Sequence, residues 1–595
     1  MFKNAFYLTF FALLFTNVVL AQKIEYKIKF ENPQTHYAFV EMRISELKTE
    51  EVEVVMPVWA PGSYLVREYS KNMENVEVRT DAREAVSFVR TSKNVWKIKV
   101  PKDKSFTFMY DLYANELSVR TNFIDASHAY LNPVAAFPFV KGLEDKAGTL
   151  TVVPHASWAK IHTALAKKST DWERSFTNYD EFADSPIEIG NHDVFEFTAA
   201  GIPHTVAVYG GGNYTPEIFT QDFKRVVEEA IKVFGENPCT NYLFIVHNTL
   251  NGGGGLEHKN STTLHAKRNA YQTPEGKIQI LSLVAHEYFH LWNVKRLRPE
   301  GLGPFDYTKE NYTRQLWFSE GITSYYDELL LLRAGYVKTN DFLKSTIGNM
   351  ETFEKNYGKN VQSLGDASFE AWIKFYRPNE NSANSTVSYY GKGATIGLLL
   401  DLEIAHRTNG VKNLDDFMRV LYDEYYKKRD VGFTEANFQE VLNKVAGSSM
   451  NDFMSRYVYA CETINYAQFF AYAGINLTTE QLAMNSFGLK TASENGKFTI
   501  TGINRGSSAF LSGLSVGDEL LAVNGTRVNN QNDLSFFENS SKSGDKRFKV
   551  LYSRDGLVKE CTFEVGDFTQ MKFTYSIKDN FTESERKVYS KVFVK

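Results

Sequence analysis

The residues best suited to chemistry lie in an apolar stretch at the centre of the sequence, Leu283-Val-Ala-His-Glu-Tyr-Phe-His-Leu-Trp292. In a helix, His286 and His290 lie one turn apart on the same face, so both imidazoles can bind one Zn²⁺. Glu287 stands beside that face and can take a proton from a water whose pKa the ion lowers to about 7. Taken alone, the pattern fits a zinc hydrolase and a chance occurrence equally well.

A catalytic zinc ion needs a third protein ligand and keeps one position for water. Glu320 begins a new helical pattern after the loop of residues 299–306 and offers a carboxylate. Asp327 follows seven residues later, where it can hold a ligating histidine by the second ring nitrogen. Each carboxylate also has a plainer interpretation: Glu320 as a helix-start acid favoured by the macrodipole, and Asp327 as a surface charge.

Two further segments have residue types that suit a bound peptide. Four glycines, Gly254 and Gly255 among them, run into Glu257, whose carboxylate suits an ammonium group. The glycines indicate either a flexible turn or a strand edge that pairs with a peptide. Tyr390 begins another helical pattern and can donate a hydrogen bond to an oxyanion, although with 33 tyrosines in the chain a packing role stays open.

Hydrophobic patterning predicts the scaffold, a multidomain α+β protein. Residues 22–197 alternate between apolar and polar positions, which predicts a β-rich N-terminal domain. Residues 198–480 have helical spacing in segments such as 219–234, 278–294 and 395–406, which predicts a mostly helical domain around the histidines. Short β-type runs return in residues 481–570, and residues 571–595 are predicted to form a polar C-terminal tail.

Composition excludes several classes of protein. The chain has 595 residues, 43% of them hydrophobic, which is typical of folded globular proteins. Its formal net charge of -4 provides no basic field for phosphate backbones, so we expect no nucleic-acid partner. The three cysteines are far apart and form no CxxC pair, so the sequence indicates no thiolate metal cluster.

The first residues indicate export. Lys3 and the apolar run of residues 5–20 predict a signal peptide, residues 1–21, removed after Ala21 to leave a mature start at Gln22. An uncleaved anchor helix is the alternative. No later stretch approaches the ~20 apolar residues that a membrane span requires. We therefore expect a periplasmic or extracellular protein without an integral membrane segment in the mature chain.

The central motifs resemble a known family. The segments of residues 286–299, His-Glu-Tyr-Phe-His-Leu-Trp-Asn-Val-Lys-Arg-Leu-Arg-Pro, and 316–326, Leu-Trp-Phe-Ser-Glu-Gly-Ile-Thr-Ser-Tyr-Tyr, are similar to the M61 metallopeptidases, the glycyl aminopeptidase family. Trp59-Ala-Pro-Gly-Ser-Tyr64 extends the resemblance into the N-terminal region. More distantly, the centre resembles the M1 zinc aminopeptidases, which implies a thermolysin-like catalytic domain.

The resemblance implies a role for each candidate residue. His286, His290 and Glu320 are implied as ligands of one Zn²⁺ per chain, Glu287 as the general base, and Tyr390 as the oxyanion donor. Glu257, with Gly254 and Gly255, takes the place of the M1 motif that binds the substrate's amino group. Two features depart from M1: the 29 residues between His290 and Glu320 make a longer interval, and Asp327 stands where M1 enzymes tend to have glutamate.

The region of residues 481–570 has its own resemblance. The segment from Gly506 to Gly525 is similar to the helix, turn and strand of PDZ domains. Phe487, Gly488 and Leu489 then match the loop whose amides hold a C-terminal peptide carboxylate, while the peptide adds to a sheet edge. A structural cap on the peptidase, without any ligand, is the alternative.

Together these features predict an exported zinc aminopeptidase that acts on peptides with a free N-terminus. The resemblance adds a preference for N-terminal glycine or alanine. Two alternatives stay open: a zinc endopeptidase of the same fold, which would cleave blocked peptides equally well, and a non-catalytic peptide-binding protein of PDZ type.

Overall fold

The computed structural model describes residues 22–484, 486–541, 544, 546–566 and 568–594. The predicted signal peptide, residues 1–21, lies outside the described residues. Among the described helices, none combines the length and the apolar character that a membrane crossing requires.

The N-terminal region is a β-rich domain, as predicted. Its strands are β1 (Lys23–Lys29), β2 (Tyr37–Ser45), β3 (Glu51–Val55), β4 (Met73–Arg79), β5 (Phe88–Ser92), β6 (Val95–Lys99), β7 (Phe106–Tyr113), β8 (Phe123–Ile124), β9 (His128–Leu131), β10 (Phe139–Val140), β11 (Gly148–Val153), β12 (Lys160–Thr163), β13 (Ala166–Lys167), β14 (Glu173–Phe176) and β15 (Ile187–Gly190). Short helices α1 (Pro133–Ala136) and α2 (Tyr179–Ala183) and 3₁₀ turns at Pro33–Thr35 and Tyr69–Asn72 connect them.

Three sheets form this domain. The largest has the order β13-β14-β11-β1-β2-β7-β4, and its alternating residues place Tyr26, Val40 and Tyr110 in a common core. A second sheet has the order β10-β3-β6-β5. The third, β12-β15-β9-β8, lies against the next domain, since Tyr130 of β9 donates a hydrogen bond to Thr263 at 2.9 Å.

The central region, which the sequence predicts to be the catalytic domain, begins with a five-stranded sheet of order β16-β17-β18-β20-β19. Its strands are β16 (Asp193–Ala199), β17 (Ile202–Tyr209), β18 (Tyr242–Thr249), β19 (Gly255–Glu257) and β20 (Ser261–Lys267). Strand β16 belongs to this sheet, so the domain boundary lies before Asp193 rather than at the predicted residue 197. The sequence does not mark this boundary, because β15 and β16 are consecutive strands and the hydrophobic period does not change between them. Strand β19 is an edge strand, antiparallel to β20.

Helices make up the rest of the catalytic domain. They are α3 (Pro216–Phe234), α4 (Pro274–Phe289), α5 (Thr323–Arg333), α6 (Thr339–Lys355), α7 (Leu364–Phe369), α8 (Ser382–Ser385), α9 (Tyr389–Arg407), α10 (Leu414–Tyr422), α11 (Glu435–Ala446), α12 (Asn451–Tyr457) and α13 (Tyr466–Ala471). Short 3₁₀ helices occur at Glu300–Leu302 and Tyr357–Asn360, and π-helical turns at Trp317–Ile322 and Asp423–Lys427.

The C-terminal region contains the predicted PDZ domain. Its elements are β22 (Leu489–Glu494), β23 (Lys497–Ile503), α14 (Ser508–Leu511), β24 (Glu519–Val523), β25 (Thr526–Arg527), α15 (Gln531–Ser540), β26 (Arg547–Arg554) and β27 (Leu557–Glu564). Before and after it, β21 (Ile475–Met484) and β28 (Phe568–Ile577) pair as an antiparallel ribbon. The ribbon extends beyond the predicted bounds of 481 and 570, and Ile475 and Phe573 lie in the core of the catalytic domain.

The predicted polar tail contains the end of β28 and one further helix. Helix α16 (Glu583–Phe593) has a capping box of Thr582 and Glu585. It buries Val588, Val592 and Phe593 in the catalytic core. Tyr589 packs beside these three residues, and the other residues of the helix are polar, so the sequence has only a weak hydrophobic pattern here.

Candidate active site

Helix α4 carries the first group of candidate residues. It begins with Thr273, whose hydroxyl accepts a hydrogen bond from the Gly276 amide, and with a proline in the first turn. Its buried residues, Val284 and Ala285 among them, pack in the core of the domain. The helix ends at Phe289, so His290 is its C-cap rather than a mid-helix residue. His286 and His290 lie one turn apart, with ring centroids 4.7 Å from each other.

Glu320 approaches both imidazoles from a different segment. Its Oε2 lies 3.4 Å from Nε2 of His286 and 3.2 Å from Nε2 of His290. Glu320 belongs to a π-helical turn, where the helix is locally wider. The turn packs directly on α9: a Cβ built on Gly321 would come within 2.5 Å of the Cα of Gly393. Only glycines allow two backbones to approach this closely.

The other nitrogen of each ring is held by a hydrogen bond. Nδ1 of His286 donates to Oδ2 of Asp327 at 2.9 Å, and Nδ1 of His290 donates to the carbonyl of Asn293 at 2.9 Å. The side-chain amide of Asn293 in turn donates to the carbonyls of Phe318 and Ser319 at 3.0 and 3.2 Å. Both rings are thereby oriented with Nε2 toward Glu320, and Asn293 fixes α4 against the segment that carries Glu320.

This donor set fits a divalent metal ion. Two imidazole nitrogens and one carboxylate oxygen are the ligands of many catalytic zinc sites, and they leave a position open. Burial raises the pKa of Glu320, but His290 and His286 more than offset it and lower the pKa to about 2. Burial lowers the pKa of His286, yet Asp327 and Glu320 hold it well above its usual range. A bound cation would replace these protons as the partner of the carboxylate.

Glu287 faces the same space. The Glu287 side chain is buried, and its Oε2 has no hydrogen-bond partner in the described structure. Burial, opposed by the neighbouring imidazoles, raises the pKa of Glu287 to about 7. Edge strand β19 packs against it: a Cβ built on Gly255 would lie 2.5 Å from Cδ of Glu287.

A cleft of about 430 Å³ connects Glu287 and the three candidate metal ligands with the residues predicted to contact substrate. Gly254, Gly255, Glu257, Asp327 and Tyr390 all line it. Glu257 is buried, and oxygen and nitrogen atoms of Glu257, Glu287 and His290 lie within 4.8 Å of one another. The ring of Tyr390 lies 6.3 Å from that of His286 between centroids. Burial raises the pKa of Tyr390, which keeps its phenol protonated as a donor.

The N-terminal domain supplies residues that sequence reasoning did not assign to the site. Gly62, in the Trp59–Tyr64 segment, lies over Glu257, since a Cβ on it would be 2.6 Å from Oε2 of that carboxylate. Arg120 also lines the cleft, and its guanidinium donates to the carbonyl of Gly255 at 3.5 Å. The Trp59–Tyr64 motif could have pointed to Gly62 as a residue of the site from the sequence. No local pattern marks Arg120.

Comparison with known proteins is consistent with this geometry. The family models that match are the Peptidase M61 N-terminal domain over residues 25–191, the M61 glycyl aminopeptidase over residues 279–396 and the PDZ domain over residues 476–550. A crystal structure of an aminopeptidase N family protein from Idiomarina loihiensis has a TM-score of 0.86 and 29% identity, covering 95% of this chain and 99% of that chain.

The chain contains the N-terminal and catalytic domains of the M61 metallopeptidases. It is accordingly a metallo-aminopeptidase with a C-terminal PDZ domain. An M1 zinc metallopeptidase variant from Deinococcus radiodurans, bound to a Tyr-Ser-Ala substrate, is similar with a TM-score of 0.47 and 12% identity over 74% of this chain and 94% of that one. A search of curated protein sequences finds no match.

The predicted carboxylate-binding loop of the PDZ domain already has hydrogen-bond partners within that domain. The amide of Phe487 donates to Oε1 of Glu538 on α15 at 2.9 Å, and the amide of Gly488 donates to Oγ of Ser486 at 3.1 Å. The Phe487 side chain is buried in the PDZ core, while Leu489 begins edge strand β22. A peptide carboxylate would have to displace Glu538 from this loop.

Replacing Gly255 by alanine should displace the Glu287 carboxylate. We expect peptidase kcat to fall by on the order of 10- to 100-fold with metal content unchanged, because a small misplacement of a catalytic group is costly. Gly253→Ala is the matched control, since a Cβ at Gly253 meets no atom within 4 Å. Steady-state kinetics and metal analysis of both variants check this, and equal activity of the two would contradict the packing argument.

Proposed function

We propose that this protein is an exported zinc aminopeptidase that removes N-terminal residues from peptides. The observation that carries this proposal is the convergence of three donor atoms, Nε2 of His286, Nε2 of His290 and Oε2 of Glu320, beside Oε2 of Glu287, a buried oxygen without a hydrogen-bond partner among the described residues. His286, His290 and Glu320 would hold one Zn²⁺ per chain. The ion, when bound, supplies Lewis acidity that polarises the substrate carbonyl and lowers the pKa of water.

Glu287 is the proposed general base. It accepts a proton from the attacking water and later returns it to the leaving amine. Burial of the Glu287 side chain raises its pKa, which favours a group that holds the proton between the two steps. Tyr390 is the proposed donor to the oxyanion, since its phenol lines the cleft beside His286.

Glu257 is proposed to bind the substrate's free amino group. Its carboxylate lies within 4.8 Å of ligand atoms of Glu287 and His290, which supports binding of the ammonium group close to the reacting carbonyl. Gly62 of the N-terminal domain lies close to Glu257, which supports a binding site for the end of a peptide at this carboxylate. The outer edge of β19 is positioned to pair with the peptide backbone.

Glu287→Gln tests the base. We expect kcat to fall by about 10²–10⁴-fold while zinc stays bound, because the amide keeps the shape but cannot accept the proton. Glu275→Gln, an exposed change in the first turn of the same helix, is the control. Removal of zinc with a chelator should abolish activity and added zinc should restore it. Near-normal turnover of a metal-loaded Glu287→Gln enzyme would rule out this role.

Glu257→Gln tests recognition of the N-terminus. Wild-type enzyme should cleave Gly-Ala-Phe-Ala and leave the N-acetylated peptide intact. The variant should lose roughly 10- to 100-fold in kcat/KM on the free peptide, since a charged hydrogen bond contributes about 1.5–3 kcal/mol. Leu-Ala-Phe-Ala in the same assay measures the proposed preference for small N-terminal residues. Equal cleavage of free and acetylated peptides by wild type would make the protein an endopeptidase.

Export rests on the sequence of residues 1–21 alone. We expect protein recovered from the periplasm or medium of a bacterial host to begin at Gln22, since signal peptides of this pattern are removed after a small residue. Mass spectrometry of the intact protein measures this. A chain that stays in the cytoplasm with residues 1–21 attached would contradict export.

A further inference from the structure

Arg120 of the N-terminal domain lies at the free edge of strand β19. The amide of His265 donates to the carbonyl of Gly254 at 2.9 Å, so Gly254 faces the neighbouring strand β20. Because hydrogen bonds of an antiparallel strand alternate in direction, the next residue, Gly255, turns its amide and carbonyl to the free edge. The Gly255 carbonyl accepts a hydrogen bond from Nη2 of Arg120 at 3.5 Å. Arg120 is therefore beside the edge along which a peptide would run.

The backbone around Arg120 is held by buried side chains. The Arg120 carbonyl accepts a hydrogen bond from the buried hydroxyl of Tyr69 at 3.0 Å. The carbonyl of the preceding residue, Val119, accepts from the side-chain amide of Asn132 at 3.2 Å and from the hydroxyl of Tyr130 at 3.4 Å. Both of these side chains are buried. The fold of the N-terminal domain thus fixes the segment that carries the guanidinium to the cleft.

The guanidinium of Arg120 has unused hydrogen-bond donors. Among the described residues, its one hydrogen bond is the long contact with Gly255, no acidic side chain forms an ion pair with it, and its Nε has no partner. The neighbouring Arg67 differs, since it donates to Oγ of Ser63 and to the carbonyl of Leu65. A guanidinium carries five N–H donors in a planar fork that matches a carboxylate. Arg120 is therefore available to an anionic group of a ligand.

The geometry of β19 sets where such a group would lie on the substrate. With the substrate's amino group at Glu257, the chain must run toward Gly255, because the proposed base Glu287 packs against Gly255. Gly255 and Glu257 are two residues apart on the strand, or about 7 Å. A dipeptide in extended form spans about the same distance. The residue that follows the cleaved bond therefore comes to Arg120.

We propose that Arg120 binds a carboxylate on the residue that follows the cleaved bond. This inference rests on the proposed aminopeptidase function and narrows its substrates to peptides that carry a negative charge at that residue. The charge belongs either to the C-terminus of a dipeptide or to an aspartate or glutamate side chain in the second position. Arg120 is a specificity residue in this scheme, since it holds the substrate and transfers no proton.

Peptide pairs that differ only in this carboxylate test the proposal. Gly-Phe is compared with its C-terminal amide, and the amide of Gly-Glu with the amide of Gly-Gln. In the pair whose carboxylate reaches Arg120, we expect wild type to favour the charged peptide by roughly 10- to 100-fold in kcat/KM, since hydrogen bonds to charged groups are the stronger ones. A preference in the first pair assigns the site to the C-terminus, and one in the second pair to an acidic side chain.

Variants of Arg120 show whether this side chain causes the preference. Arg120→Gln should abolish it, and Arg120→Lys should keep part of it, because lysine retains the charge without the planar fork. Arg79→Gln is the matched control, since Arg79 is an exposed residue of β4 that pairs with Glu77. A purely structural role of Arg120 would lower the cleavage of charged and uncharged peptides equally.

Binding gives a second readout that does not require turnover. Calorimetric titration of zinc-loaded Glu287→Gln protein with the same four peptides should show the same preference in Kd. Equal cleavage and equal binding within both pairs would overturn the proposal, as would a preference that Arg120→Gln leaves unchanged. If Arg120→Gln does not fold, the wild-type ratios and Arg120→Lys decide. Failure of the aminopeptidase proposal is a different result, namely equal cleavage of N-acetylated and free peptides.

Discussion

The active site depends on two imidazole rings that are both held by Nδ1. Asp327 and the carbonyl of Asn293 accept those hydrogen bonds, and this leaves both Nε2 atoms directed at Glu320. Each partner belongs to a different local structure: Asp327 lies on α5, after the π-helical turn, and Asn293 lies four residues beyond the end of α4. The site therefore requires α4 and the Glu320 segment to stay in register, which the side-chain amide of Asn293 enforces through its hydrogen bonds to Phe318 and Ser319.

The two domains are joined by buried polar groups as well as by apolar contacts. Glu188 of the N-terminal domain meets His247 of the catalytic sheet, and Tyr130 meets Thr263. Such groups are stable only when fully paired, which fixes the relative position of the domains more specifically than apolar packing alone. That position matters for chemistry, because Gly62 and Arg120 reach the cleft from the N-terminal side.

The C-terminal segments are tied to the catalytic domain on both sides of the PDZ domain. The ribbon of β21 and β28 and helix α16 contribute Ile475, Phe573 and Phe593 to the catalytic core. The PDZ domain itself contacts α8 through Asn384, which donates to the carbonyl of Ile503 at 2.8 Å and accepts from the amide of Arg505 at 2.9 Å. Asn384 lies four residues before Ser388, the N-cap of the helix that carries Tyr390.

The sequence by itself determined the chemistry that is local in the chain. The sequence predicted the spacing of His286 and His290 on one helix face with Glu287 beside it, the glycine run before Glu257 and the order of the three regions. Each of these depends on local sequence patterns. Only the tertiary structure decided which distant groups meet. Contacts between residues far apart in sequence bring Glu320 and Asp327 to opposite nitrogens of His286 and place Gly62 over Glu257. Contacts of the same kind gather His128 and His247 around Glu188. No local pattern encodes such contacts, since they follow from how sheets and helices pack. Helix α16 makes the same point: its weak hydrophobic pattern becomes recognisable only once the catalytic core that it covers is in place.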